Sequence, residues 1–265
     1  MLDTKSQITF NAKKASAVLT LSIIAGIILF QYIFVYSDTG FGIMLSLLMA
    51  IAVYVIISVL RLHSHLVKSA ESLTLIPLYV LFTSSMPWFF IEQQLLLPMV
   101  YSLILGLCFW HMYEHGLDLK DVGIVNNKTL RYIVMGAFIA LPTGYIEYVI
   151  LKPAPAFPSF ELKNLAVDII YMTFFVGLGE ELLFRGIIMN DLKRLFNWRT
   201  AILAQGFIFG IMHMTWRSVP EIGFTFMAGV ILGYLYHRTG SLIGSISLHA
   251  VNNVILVGVL PYLLR

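Results

Sequence analysis

Glu180 and Glu181 stand side by side in a long apolar stretch, and Arg185 follows one helical turn later. Glu181 and Arg185, four residues apart, share a helix face and can pair directly. Glu180 points about 100° away from its neighbour, so the pair separates into one neutralised carboxylate and one free to act. A purely structural ion pair accounts for Glu181 and Arg185 but leaves Glu180 without a role. Further on, Phe209 and His213 are four apart, as are His249 and Asn253. Each His taken alone reads as a satisfied core residue, and a His–Asn pair as interhelical hydrogen bonding. Two Glu, one Arg, two His and an Asn on three of the last four apolar segments are most economically read as one polar cavity between helices.

A carboxylate and an imidazole can hold a water molecule between them, the Glu taking its proton as the oxygen attacks a carbonyl. A second His and an Asn amide can donate to the developing oxyanion, a contribution of about 2.7–4 kcal/mol per donor. This inventory fits amide hydrolysis without a covalent intermediate and needs neither Ser nor Cys. No cofactor is required, although the donors would also suit a divalent metal such as zinc. Against a metal, H-E-x-x-H is absent and the two His stand on different segments. A rival use of the same groups is a proton or ion relay in a membrane carrier. The paired discontinuous spans and internal repeat that a carrier would call for are missing.

The elements that must position these groups are membrane helices. Of the 265 residues, 59% are hydrophobic and 12% charged, against about 45–50% and 25% in soluble domains; the mean hydropathy is +0.86. A water-soluble enzyme, a disordered chain and a coiled coil are thereby excluded. The expected fold is an all-α polytopic membrane protein, a bundle of about eight or nine transmembrane helices with an intramembrane polar cavity in the C-terminal half. Apolar runs place spans at Ala15–Ser37, Phe41–Leu60, Leu73–Ile91, Leu95–Tyr113, Leu130–Leu151, Leu165 to about Leu192, Thr200–Trp216, Glu221–Tyr236 and Leu242–Leu264. Three regions follow: residues 1–14 as a cytoplasmic N-terminal tail, 15–164 as N-terminal transmembrane helices, and 165–265 as the catalytic core. The first run is read as a retained span and not a cleaved signal. Cys108 is the one cysteine, so neither an intrachain disulfide nor a Cys-based zinc site is available.

Twelve Lys and Arg fall in the N-terminal segment and alternate connections, against four (Lys152, Lys163, Arg217 and Arg265) on the opposite side. By the positive-inside rule the N-terminus is cytoplasmic and the C-terminus outside. Orientation thus accounts for the basic balance without nucleic acid; the expected partners are membrane lipid and a peptide or protein substrate. Short loops and the lack of an organelle signal point to a bacterial plasma membrane. Glu147, Asp168 and Glu221 near outer helix ends, and Glu92 in an outer turn, read as solvated at the interface. His63, His65, His111, His115 and His237 read as headgroup contacts or packing near the inner boundary. His115–Lys128 is expected to be a short interfacial helix and turn. Matching the depths of Glu180 and His213 requires the sixth helix to continue to Lys193 or beyond. The site would then lie at mid-membrane or slightly cytoplasmic, open to water from inside. Gly229 and Gly233 should let the eighth span pack tightly.

Glu180-Glu181-x-x-x-Arg185, Phe209-x-x-x-His213 and His249-x-x-x-Asn253, in that order, resemble the three-motif signature of the CAAX prenyl protease and bacteriocin-processing (CPBP, or Abi) family of intramembrane proteases. The run Gly233–Leu242 also resembles the segment that precedes the family's last motif, and the likeness extends over Val167–Val257. The resemblance implies an intramembrane endopeptidase acting on a membrane-anchored, lipidated or hydrophobic peptide. In it Glu180 would be the general base and His213 would hold the water. His249 and Asn253 would form the oxyanion site. Glu181 and Arg185 would position the first carboxylate and the substrate C-terminus. The family is described both with zinc and with a metal-free glutamate mechanism, and it also suggests a non-catalytic immunity protein as an alternative.

Overall fold

The computed structural model describes residues 2–59, 64–86, 93–125 and 128–264, with side chains from residue 17 onward apart from 64–66 and 93–94. Lys5, Lys13, Lys14, Arg61, His63, His65, Glu92 and Arg265 therefore lie outside the described side chains. The described residues form nine helices and no strand: α1 (Leu2–Tyr36), α2 (Thr39–Val59), α3 (Ser64–Ser84), α4 (Gln93–Glu114), α5 (Thr129–Leu151), α6 (residues 162–195), α7 (Trp198–Met212), α8 (Val219–Thr239) and α9 (Leu242–Leu263). Helices are the form in which a lipid-embedded backbone satisfies its own polar groups. The protein is a polytopic helical membrane protein.

Six helices are long and apolar enough to cross a membrane by composition alone: α1, α2, α4, α5, α8 and α9. Of the other three, α7 is only 15 residues long, while α3 and α6 carry buried polar groups that face protein. In α3 the apolar run beginning at Leu73 misplaced the start by nine residues, since the helix begins at Ser64 and ends at Ser84. Ser69, Ser72 and Thr74 are buried there, each hydroxyl donating to a backbone carbonyl, which removes the cost that a hydropathy window assigns to them. The segment expected as a tail, residues 1–14, is continuous with α1 from Leu2. Residues 115–125 form turns and no helix, where a short helix and turn were expected, and the Asp118 carboxylate accepts the backbone N–H groups of Lys120 and Asp121. Those bonds hold its pKa below the ordinary value and offer the backbone an alternative to helix.

Close helix pairs surround α6. A Cβ on Gly229 of α8 would come within 2.9 Å of Gly206 Cα on α7, so these two backbones touch without side chains between them. Gly136 on α5 is similarly pressed against the Gly244 carbonyl of α9. At the end carrying Lys193 and Arg194, the Leu242 N–H donates to Gly123 O at 2.8 Å, and the Ser69 hydroxyl to Asp191 O at 3.1 Å. At the opposite end Arg217 donates to Val35 O at 2.8 Å and Tyr262 to Phe157 O at 2.6 Å. The main apolar core, including Leu182, Ile187, Ile188, Leu192, Ala201, Ile202 and Ile208, fills the Lys193 end.

Candidate active site

α6 runs to Leu195, past Lys193, and its residues 171–177 and 182–189 are π-helical on either side of an α-helical turn, Leu178–Glu181. The wider π turns change the direction of successive side chains and recur at functional sites. Within the α-helical turn the two adjacent carboxylates point about 100° apart and meet different partners. Glu180 Oε1 accepts from the Tyr101 hydroxyl of α4 at 2.7 Å. Its Oε2 is buried, receives no hydrogen bond and lies 3.7 Å from His249 Nε2. Glu181 is fully buried, and its Oε1 accepts from both Arg185 and His249 Nδ1, each at 2.8 Å.

The second carboxylate and its arginine thus hold His249, and the residue that holds Glu180 is Tyr101. Arg185 also donates to Gly229 O at 3.4 Å and lies 4.4 Å from the centre of the Phe209 ring. It is completely buried and borders neither cavity at the site, so the contact with a substrate C-terminus implied for it has no counterpart in this arrangement.

α7 ends at Met212, and the chain tightens into a 3-10 turn, His213–Trp216, closed by Arg217 in the left-handed region at φ 53°. His213 Nδ1 meets Phe209 O at 2.8 Å. A carbonyl only accepts, so Nδ1 carries the hydrogen, and the neutral ring offers Nε2 as an acceptor. By the same logic His249 Nδ1 carries a hydrogen toward Glu181, and its Nε2 donates only when the ring holds both protons. Asn253 borders the cavity, and its amide forms no hydrogen bond with the described residues.

Two cavities meet at Glu180. One, of about 250 Å³, is bordered by Glu147, Glu180, His213, His249, Asn252 and Asn253. The other, of about 330 Å³, is bordered by Gln31, Tyr79 and Thr83, and shares Tyr101, Glu180, His213 and Trp216 with the first. Phe34, Thr83, Leu97, Thr215 and Trp216 in their walls all belong to the half near Arg217 and Val35. Toward the Lys193 end the apolar core closes the space. Glu180 and His213 each stand about 20 Å along their helices from the α6–α7 turn. The long sixth helix is present, and the two cavities lie toward the end opposite Lys193.

Glu147, Asp168 and Glu221 are also corrected: their residue exposures are 7%, 4% and 0%, so none is solvated at an interface. Glu147 borders the first cavity and accepts a hydrogen bond from the Asn252 amide. Tyr101 and Glu147 were missed because each lies in a span without a motif. The available signal was a lone carboxylate in Tyr145-Ile146-Glu147-Tyr148, flanked by apolar residues on both sides. His111 and His115 meet acidic partners, Asp191 at 3.8 Å and Glu71 at 3.0 Å, instead of headgroups. Cys108 is buried as an apolar side chain.

Among the described residues no three His, Cys, Asp or Glu side chains converge as a metal-ligand set.

Residues 162–255 match the family model of the type II CAAX prenyl endopeptidase, Rce1-like. The chain carries a type II CAAX prenyl endopeptidase, Rce1-like, domain. It contains all three motifs and the whole of α6, α7 and α8. This is a CAAX protease family, and the protein is a peptidase of that intramembrane type. No curated protein and no solved structure matches the chain.

Proposed function

We propose that this Rce1-like peptidase hydrolyses a peptide bond in a membrane-anchored, lipidated or hydrophobic peptide, using water activated by Glu180. The observation that carries the reading is the unpartnered Oε2 of Glu180 at the junction of two cavities, facing His249 Nε2 across 3.7 Å. That gap is too long for a direct hydrogen bond. A water at about 2.8 Å from Glu180 Oε2 has space in the adjoining cavities.

In this reading Glu180 Oε2 takes the proton as the water oxygen attacks the carbonyl, and returns it to the leaving amine. His213 Nε2, opposite its Phe209-bound nitrogen, accepts from the same water. The uncommitted Asn253 amide donates to the oxyanion, joined by His249 Nε2 when that ring carries both protons. Glu181 and Arg185 hold the His249 ring and stay out of contact with substrate. Surrounding apolar walls exclude bulk water, which strengthens each of these contacts.

A basic N-terminal segment and the Lys-rich connections support an N-terminus inside, and the short loops without an organelle signal support a bacterial plasma membrane. On that orientation, the cavities face the outer half. The test is cleavage of hydrophobic peptides by the purified protein: Glu180→Gln and His213→Ala should each abolish processing while insertion and folding persist. Full activity in either variant rejects the mechanism.

A further inference from the structure

Glu147 and Glu221 form a second buried polar cluster, distinct from the six motif residues. Their carboxyls are in contact with each other. Among the described residues, no Lys or Arg pairs with either, and Arg217, close in sequence to Glu221, is turned to Val35 O. Glu221 sits in the first turn of α8, with its own N–H on the Ser218 hydroxyl, where the helix dipole favours negative charge.

Several acceptors here lack a donor. Neither oxygen of Glu221 receives a hydrogen bond, nor does Asn252 Oδ1, and Asn252 is 6% exposed. One N–H of the Asn252 amide is spent on Glu147. A shared proton would join the two carboxyls but leave Asn252 Oδ1 unmet. A primary ammonium has three N–H donors, enough for Glu147 and Asn252 at the cavity wall and for one further acceptor. The cavity of about 250 Å³ bordered by Glu147 and Asn252 has room for one, and Glu180 borders the same space.

We propose that Glu147 and Asn252, with Glu221 in contact with Glu147, form a subsite for the ammonium of a substrate lysine, held beside the bond that the Glu180-activated water attacks. The inference rests on the peptidase reading of Glu180 and names a substrate class within it: apolar peptides with a lysine close to the cleavage point.

The full chain in nanodiscs is given peptide pairs that differ only in Lys or Met at each position flanking the cleaved bond, and kcat/KM is compared. Separately, its Tm is followed with n-butylammonium, n-butanol or sodium chloride. At one position Lys should be favoured by about tenfold, the effect of one charge-assisted hydrogen bond, and the ratio should fall to near one in Glu147→Gln and in Glu221→Gln. n-Butylammonium should raise the Tm saturably, with no such effect from n-butanol or sodium chloride. A ratio near one at every position in the wild type, a ratio that survives both substitutions, or a sodium chloride effect equal to that of n-butylammonium overturns the subsite. If no peptide is cleaved, the peptidase reading fails by itself. The Tm comparison on the wild-type protein then decides the subsite, and the absence of a saturable n-butylammonium shift sinks it.

Discussion

His249 on α9 donates from Nδ1 to Glu181 on α6 at 2.8 Å, and Arg185 donates to the same oxygen. One buried carboxylate thereby fixes an imidazole from a distant helix and keeps its other nitrogen turned toward Glu180. The two adjacent glutamates have separate tasks: Glu181 is a strut, and Glu180 is left with an oxygen to use.

Glu180→Gln and Glu181→Gln should consequently fail in different ways. The first should lower turnover by about 10²–10⁴-fold, the range of a positioned general base, with little change in Tm. The second leaves Arg185 buried without its counter-charge, which costs about 3–5 kcal/mol, so it should lower Tm as well as activity. Thermal unfolding measured beside peptide cleavage separates the two.

Tyr101→Phe removes the hydroxyl on Glu180 Oε1 and nothing else from the cavity wall. A hydrogen bond to a charged group contributes about 1.5–3 kcal/mol, so kcat should fall by about 10–150-fold while the protein remains folded. Wild-type kcat in this variant would show that Glu180 does not need α4 to orient it.

Gly229→Val would drive a side chain into the α7 backbone at Gly206. Overpacking of this kind costs about 1–3 kcal/mol, and because Gly229 O also receives Arg185 and Gln205, activity should fall with stability. A substitution at Gly223, whose Cβ would meet open space, should change neither; the comparison is a Tm measurement on both variants.

The Asp118 turn supplies a pH-dependent element outside the membrane spans. Its carboxylate is held below the ordinary value of 3.8, chiefly by the Asp121 and Lys120 N–H groups. A carboxylate with a depressed folded pKa stabilises the turn above its unfolded pKa, and that contribution is lost as pH falls through the folded value. Hydrogen-exchange protection of the Lys120 and Asp121 amides should therefore hold near pH 5 and decline below pH 3.8, and Asp118→Ala should lack protection at both.

Much of the architecture was written in local chemistry. Runs of apolar residues too long for a soluble fold fix helices and their number, because lipid penalises an unsatisfied backbone wherever it occurs. The i, i+4 spacing of Glu181 with Arg185 forces those two onto one face, and it was found there. Where carboxylates were read as solvated, the reading failed: Glu147, Asp168 and Glu221 are buried, and Glu147 and Glu221 interact with one another.

That Tyr101 rather than Glu181 holds Glu180, and that Glu147 belongs to the cavity, were decided only by packing. These are relationships between helices distant in sequence, set by how Gly229 meets Gly206 and Gly136 meets Gly244. A sequence reports each helix's preferences along its own axis; the rotation and depth at which helices meet depend on side-chain shapes from several of them at once.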